Sequence, residues 1–258
     1  MINNDFIMRS LRKDLLEPLY IPIIGFGGAG SRIIDAVEKM LYDLKKGEDG
    51  DEYANVLTVE INTKQEYLDE SLQAASKVLI SDKILGIHQD TGGFVEVGEK
   101  LIKDNFDSIF GVKGVVNFRN ADAVILIGAA GGGMGMGGLK ETLRYLMENY
   151  RNLPVYPIVI LPFRMEDRPL WREEVSNLMQ IKANFTTVNN EMYIKDRKAR
   201  FSDVLESINM NVASKVIDII KNVKNKRQQV FEEFINSIYE RKFTENLYEL
   251  EFEYSRVS

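Results

Sequence analysis

The sequence predicts an α/β protein: a doubly wound, mostly parallel Rossmann-like sheet with helices on both faces, plus a helical C-terminal extension. Two observations lead to this prediction. Short apolar runs rich in Ile and Val alternate with segments of helical periodicity, which is typical of parallel sheets built from right-handed crossovers. Two of the apolar runs also end in glycine-rich segments that lead into a helix, at residues 25–30 and 128–138.

The predicted strands are short and apolar, as expected for strands that are buried on both faces. The first is LYIPIIGF at residues 19–26, which is rich in isoleucine and leads into the first glycine segment. The remaining strands are predicted at residues 55–63, 77–80, 121–129, 155–163 and 184–190.

The predicted helices follow the strands. Segment 30–46 places Ile33, Ile34, Val37 and Leu41 on one face, the spacing of an amphipathic helix. Residues 201–243 have a helical pattern throughout, which predicts a helix of about six turns and a second helix beyond it. Residues 247–257 alternate apolar and charged side chains, which predicts a half-exposed strand. The other helices are predicted at residues 64–73, 93–110, 137–152 and 169–182.

The composition narrows the classes of function. The chain has 258 residues, 45% hydrophobic and 28% charged, which suits one large domain with a sizeable core. A net charge of −6 argues against nucleic acid as a partner. Because there is no cysteine and only one histidine, disulfides, thiolate metal sites and clustered-histidine metal sites are excluded. We expect a cytoplasmic protein that meets a membrane only indirectly, if at all, since neither a signal-peptide pattern nor a membrane-spanning apolar run is present.

The first glycine segment, GFGGAG at 25–30, has the spacing of a phosphate-binding turn between a strand and a helix. Glycines let the backbone approach a phosphate closely, and the helix N-terminus offers free N–H groups and the positive end of a dipole. Taken alone, the pattern also fits an NAD(P)-dependent oxidoreductase, in which Glu60 near the end of the second strand would bind the ribose. Tight packing of the helix on the strand would require such glycines too.

The second glycine segment, GAAGGGMGMGG at 128–138, repeats this arrangement after the fourth strand. In a doubly wound sheet, the carboxyl ends of the first and fourth strands border the same crevice, because the strand order reverses there. A dinucleotide site needs only the first loop. Two loops therefore favour a triphosphate that is held from both sides.

These segments resemble motifs of the tubulin/FtsZ superfamily. GAAGGGMGMGG is similar to the family's GGGTGTG, and IPIIGFGGAGSRIIDAV resembles the first nucleotide loop of FtsZ. The resemblance continues in the family's order through VEINTKQEYL, LPFRMEDRPLWR, TTVNNEM and LESINMNVASKVIDII, and it covers residues 20 to 223. It implies a guanine-nucleotide-binding domain at 1–223, which includes a central helix, and a helical tail at 224–258 that ends in the predicted strand.

The resemblance implies GTP or GDP as the ligand and leaves Mg²⁺ as an open question. Glu166 would hold the ribose hydroxyls, and Arg172 or Arg168 would lie near the phosphates. Asn190 and Asn209 would recognise the guanine edge, for which an amide offers both a donor and an acceptor. The two loops would surround the phosphates through Gly27, Gly28, Ala29, Gly30 and Ser31, and through Gly131, Gly132, Gly133, Met134, Gly135 and Met136.

Several features depart from the family pattern, and three of them concern the chemistry of the site. Met134 and Met136 stand where the family has threonines, and methionine cannot donate a hydrogen bond, so weaker nucleotide binding is expected. Lys64 stands where the family has aspartate, and its charge could neutralise phosphate directly. The acidic loop that follows the central helix in the family, and completes a neighbouring subunit's active site, has no match at residues 221–234, so the catalytic residues are unknown.

The predicted function is that of a guanine-nucleotide-binding cytoskeletal or membrane-remodelling relative with weak or partner-dependent GTP hydrolysis. Such a protein would self-associate or dock on a protein partner. Two alternatives stay open at this point: an NAD(P)-binding oxidoreductase, and a structural or adaptor relative that has lost the nucleotide.

Overall fold

The computed structural model describes residues 18–47, 50–70, 74, 76–80, 91–166, 168, 170–194 and 199–257. Side chains are described as far as residue 237, except those of residues 51, 52 and 234. The chain divides into two compact units, of which one is Pro18–Ile219. The described part of the other unit is helical and begins at Ile220.

The first unit is built on a six-stranded sheet in the order β3-β2-β1-β4-β5-β6, and all of its neighbouring strands are parallel. The doubly wound prediction is therefore confirmed, and all six predicted strands are formed. Ile23 pairs with Ile125 and Gly25 with Ile127, so β1 and β4 end side by side at the reversal of strand order. The strands are β1 (Ile21–Phe26), β2 (Val56–Asn62), β3 (Ser76–Leu79), β4 (Val124–Ala129), β5 (Val155–Leu161) and β6 (Thr186–Asn189).

Seven α-helices are present among the described residues, and two of them start earlier than predicted. The helices after β1 and β4 begin inside the glycine segments, at Gly27 and Gly133, before the first apolar residue of the helical pattern. The helix predicted at 93–110 is interrupted at Asn105, whose side-chain amide donates to the backbone oxygen of Leu101. The helices are α1 (Gly27–Lys45), α2 (Gln65–Glu70), α3 (Val95–Asp104), α4 (Phe106–Phe110), α5 (Gly133–Asn149), α6 (Trp171–Met179) and α7 (Phe201–Val257).

Helix α7 corrects two expectations. It is one continuous helix of 57 residues rather than two helices, and residues 247–257 are helical rather than a strand. No glycine or proline interrupts the sequence from 201 to 257, so nothing in it forces a break. Leu247, Leu250 and Tyr254 also have helical spacing, and the glutamates between them favour a helix. The alternating pattern is therefore ambiguous, and the prediction of a strand at these residues is wrong. Residues 71–73, at the predicted end of α2, lie outside the described residues.

The core of the first unit lies between the sheet and its helices. Every residue of β1 is buried, as are nearly all residues of β2 and β4, which explains why these strands are continuous apolar runs.

In the part of the chain that the structure describes, no helix is both long and apolar enough to cross a bilayer.

Candidate functional site

A crevice of about 370 Å³ opens at the carboxyl ends of β1, β2 and β4. This is the edge of the sheet where the order of strands reverses, the usual ligand position in an open α/β sheet. Both glycine segments contribute to its wall, so the structure brings together the two loops that the sequence singled out. The lining comprises residues 26–29, 62–64, 91–93 and 129–135, together with Arg32, Tyr67, Glu166 and Arg168.

The first glycine loop delivers the N-terminus of α1 to the crevice. Gly27 has φ +67°, a left-handed conformation that side chains disfavour, and the helix begins at this residue. Among the described residues, no side chain caps the helix, and its first turn contains no acidic residue. The first N–H groups of a helix have no partner within it, so those of α1 are available to a ligand.

The second glycine loop does the same with α5. Gly131 has φ +75°, and Gly132 is the N-cap residue, again without a side-chain hydrogen bond from any described residue. A methyl group on Gly132 would meet no described atom closer than Ala129 O at 3.6 Å, so this residue borders open space. The N–H of Gly131 donates to Glu174 Oε2 of α6 at 3.0 Å, which fixes the loop just before the helix begins.

The two loops touch each other. A methyl group added to Gly27 would lie 3.2 Å from the backbone nitrogen of Gly135. A methyl group added to Gly135 would lie 3.5 Å from the backbone oxygen of Phe26. Two helix N-termini, each with the positive end of a dipole, therefore converge on one volume. Such a site favours a ligand with several negative charges.

Two glycines of the second segment, Gly133 and Gly137, also serve the packing of helices. An added Cβ on Gly133 would lie 2.5 Å from Phe94 O, and one on Gly137 would lie 2.4 Å from Val95 O. Backbone atoms cannot move aside for a side chain, so these glycines allow α3 and α5 to pack in direct contact. The glycine run therefore combines a loop at the crevice with a close helix–helix contact.

The two methionines of this segment are buried in the core. Met134 is 4% exposed and Met136 is 1% exposed, and both belong to the main apolar cluster. The side chain of Met134 ends close to Gly138, where an added Cβ would come within 2.7 Å of its Cε. Met134 lines the crevice, whereas Met136 does not. A core position explains why an apolar side chain is accommodated at each of these two sites.

Gly30 and Ser31 lie behind the first loop. Gly30 packs on β1, since its added Cβ would approach Gly25 C to 2.7 Å. The Ser31 hydroxyl donates to Gly27 O at 3.2 Å and is 2% exposed. Neither lines the crevice, so their role here is to hold α1 against the sheet.

Three cationic side chains surround the crevice. Arg32 Nη1 lies 3.7 Å from the position of an added Cβ on Gly28, and Arg168 Nη1 lies 3.5 Å from that on Gly93. Lys64 Nζ lies 5.7 Å from the ring centroid of Tyr67. Glu166 is the single carboxylate among the described lining residues, and its Oε1 accepts from the N–H of Phe163 at 3.1 Å. The crevice is thus locally positive in a chain of net charge −6.

The structure also places Asn62 at the crevice, a residue that is not among the predicted contacts. Asn62 ends β2, is 2% exposed and lines the crevice. Its Oδ1 accepts from Thr63 N at 2.9 Å and Lys64 N at 3.4 Å, while its Nδ2 is buried without a partner among the described residues. A buried donor without a partner is costly unless a ligand or water completes it. Its position at a strand end beside the reversal point was the signal that could have identified it.

Besides Gly30, Ser31 and Met136, three further predicted contact residues do not line the crevice. Arg172 lies against the ring of Trp171, 5.3 Å from its centroid, and Arg168 occupies the crevice instead. Asn190 is 6% exposed in the turn after β6, and its Oδ1 has no partner among the described residues. Asn209 is half-buried on α7. Recognition of a guanine base by Asn190 and Asn209 stays a prediction.

The described lining of the crevice offers few protein ligands for a magnesium ion. Mg²⁺ binds through carboxylate and phosphate oxygens, whereas the described lining offers one carboxylate beside three cations. An ammonium or guanidinium group has no lone pair to give. No cluster of three or more acidic or histidine residues suited to a metal was found among the described residues.

Glu60, the residue that would bind ribose in an oxidoreductase, is fully buried within β2. It does not line the crevice. The carboxylate on which the NAD(P) alternative depends is therefore not presented to a ligand.

A parallel α/β sheet with two glycine-lined helix N-termini at one positive crevice defines the class of nucleotide-binding α/β domains. Residues 20–198 match the family model described as the Tubulin/FtsZ family, GTPase domain. This match covers more than half of the chain, and the chain belongs to that family.

Two curated relatives are similar in sequence. The tubulin-like protein CetZ4 of Haloferax volcanii is 32% identical over 140 residues, 54% of this chain and 34% of the relative. The tubulin-like protein CetZ of Methanothrix thermoacetophila is 23% identical over 216 residues, 79% of this chain and 56% of the relative. The chain therefore spans about a third to somewhat over half of the relatives that it matches.

Solved structures share the fold. CetZ from Methanosaeta thermophila has a TM-score of 0.63 and 21% identity, over 79% of this chain and 54% of that one. CetZ2 from Haloferax volcanii, solved as a GTPγS-bound protofilament, has a TM-score of 0.63 and 21% identity, over 81% and 59%. An empty FtsZ dimer from M. jannaschii has a TM-score of 0.63 and 19% identity, over 87% and 60%.

Proposed function

We propose that this chain binds a guanine nucleotide, GTP or GDP, with its phosphates in the crevice between the two glycine loops. The observation that carries the proposal is the convergence of the N-termini of α1 and α5, which no described side chain caps, beside three cationic side chains. Backbone N–H groups and dipole ends of this kind favour phosphate. The choice of guanine is supported by the family match and by a relative solved with GTPγS.

The phosphate contacts that we propose come from main-chain atoms. Gly27, Gly28 and Ala29 would donate from the first loop, and Gly132, which borders open space, would donate from the second. Asn62 would donate through its Nδ2, which has no partner among the described residues. Met134 and Met136 are buried in the core, and a methionine side chain cannot donate a hydrogen bond. We therefore expect weaker nucleotide binding than with two hydroxyl donors at these positions.

We further propose that hydrolysis is slow unless another chain supplies a catalytic group. The segment at 221–234, where the family's acidic loop would be expected, is part of the continuous helix α7. Self-association is supported by the protofilament of the CetZ2 relative. The cellular role that we propose is cytoskeletal.

The test begins with the purified full chain. It should be denatured, and the released small molecules should be identified by chromatography. The nucleotide-free protein should then be titrated with GTPγS, ATP and NADH. We expect released guanine nucleotide, or GTPγS binding at least about tenfold tighter than ATP binding. Release of a nicotinamide compound, or no binding of GTPγS, would overturn the proposal.

Hydrolysis needs a separate measurement. Phosphate release per protein molecule should be measured over a range of protein concentrations. If an active site is completed by a second copy, the rate per molecule should rise with concentration. A rate that is independent of concentration would contradict a catalytic group supplied in trans.

A further inference from the structure

The cationic side chains of the crevice lie beside both glycine loops. Arg32 lies beside Gly28 on the first loop, and the ring of Tyr67 lies 3.5 Å from the position of an added Cβ on the same glycine. Lys64, at the start of the segment after β2, lies near that ring and is half-buried. Positive charge is therefore built into the wall formed by the first loop.

Arg168 covers the second loop. The stem of its side chain lies against Gly131, where an added Cβ would come within 2.9 Å of Arg168 Cβ. Its guanidinium reaches Gly93, on the turn of residues 91–94 that closes through the bond from Phe94 N to Thr91 O at 3.0 Å. The phosphate tail of a nucleotide between the loops would thus have a cation on either side.

Lys64 differs in chemistry from the aspartate that the family motif places after N-T. A carboxylate there would add an oxygen ligand for a divalent cation, whereas an ammonium group repels that cation and pairs with phosphate itself. The neighbouring Asn62 already uses its oxygen on the N–H groups of Thr63 and Lys64. What it presents to the crevice is a donor, which suits phosphate and not a metal.

We propose that this chain binds the nucleotide phosphates without a divalent cation, with Lys64, supported by Arg32 and Arg168, taking the place of Mg²⁺. The inference rests on the proposed function and deepens it. Fixed side-chain cations neutralise the phosphate charge in every state of the protein. Nucleotide binding is then independent of the free Mg²⁺ concentration.

The experiment measures GTPγS binding to the nucleotide-free full chain by titration calorimetry, in Mg²⁺ and in EDTA. The wild type should change its Kd less than about threefold between the two buffers. In EDTA, Lys64→Asp should bind GTPγS at least about tenfold more weakly than the wild type does. Addition of Mg²⁺ should restore part of the affinity of this variant. Lys64→Gln should lose affinity in both buffers, because it supplies neither a charge nor a metal ligand.

Lys113→Asp is the matched control, since Lys113 is exposed and does not line the crevice. It should behave as the wild type does, and circular dichroism should establish that each variant is folded. A loss of at least about tenfold for the wild type in EDTA would overturn the inference and leave the proposed function standing. A Lys64→Asp variant that binds equally well in both buffers would also overturn it. If the wild type binds GTPγS in neither buffer, the proposed function is overturned instead.

Discussion

Gly98 of α3 lies directly against the backbone carbonyl of Gly133 in α5, where a Cβ atom would come within 2.2 Å of the oxygen. The first turn of α5, which borders the crevice, is therefore held by helix α3 from behind. Three ion-pair contacts also link the same two helices: Lys140 Nζ to Glu99 Oε1 at 2.6 Å, Arg144 Nη2 to Glu99 Oε2 at 3.5 Å, and Lys103 Nζ to Glu141 Oε1 at 3.5 Å.

Replacement of Gly98 by alanine should destabilise the fold. The added methyl group must push the backbone of α5 away, which should lower the free energy of unfolding by about 1–3 kcal/mol. Urea denaturation measures this change, and Gly132→Ala is the control because its methyl group has room. Equal stability of Gly98→Ala and the wild type would show that the two helices do not pack through bare backbone.

Glu174 should act as a positioning residue for the second loop. Glu174→Ala removes the acceptor of the Gly131 N–H and should weaken GTPγS binding about tenfold. Glu174→Gln keeps an acceptor oxygen and should stay within about threefold of the wild type. Glu173→Ala, on the exposed neighbour, should have no effect. Wild-type affinity in Glu174→Ala would exclude this role.

Asn62→Asp should weaken nucleotide binding and leave the fold intact. The aspartate keeps the acceptor for Thr63 and Lys64 N–H but replaces the unpartnered donor with a negative charge. GTPγS affinity should fall at least about tenfold, with little change in melting temperature. Asn117→Asp is a matched control, since Asn117 also accepts a backbone N–H, from Arg119 at 3.0 Å, but is exposed and remote from the lining. Unchanged affinity would place Nδ2 outside the nucleotide site.

Much of this architecture was predictable because it depends on local patterns. The apolar runs determine the strands, and their alternation with helices determines a parallel sheet. The two glycine segments were correctly located at strand ends, so their meeting at one crevice followed from the doubly wound topology.

The rest depends on contacts between distant segments. Nothing local distinguishes Gly132, which borders open space, from Gly133, which is enclosed by residues 91–94. The choice between Arg168 and Arg172 depends on the path of the chain before α6. The length of α7 could not be obtained from periodicity, because its last residues fit a strand and a helix about equally well.

The most direct measurement of the central claim uses Gly132. From the sequence, Gly133→Glu would look equivalent, but its Cβ would collide with Phe94 O and disturb the fold. Gly132→Glu places a carboxylate in open space at the N-terminus of α5, where it should repel phosphate and leave the helix intact. GTPγS binding should fall at least about a hundredfold, while Gly132→Ala stays close to the wild type and both variants keep its melting temperature. A folded Gly132→Glu variant that binds GTPγS as tightly as the wild type would contradict the account.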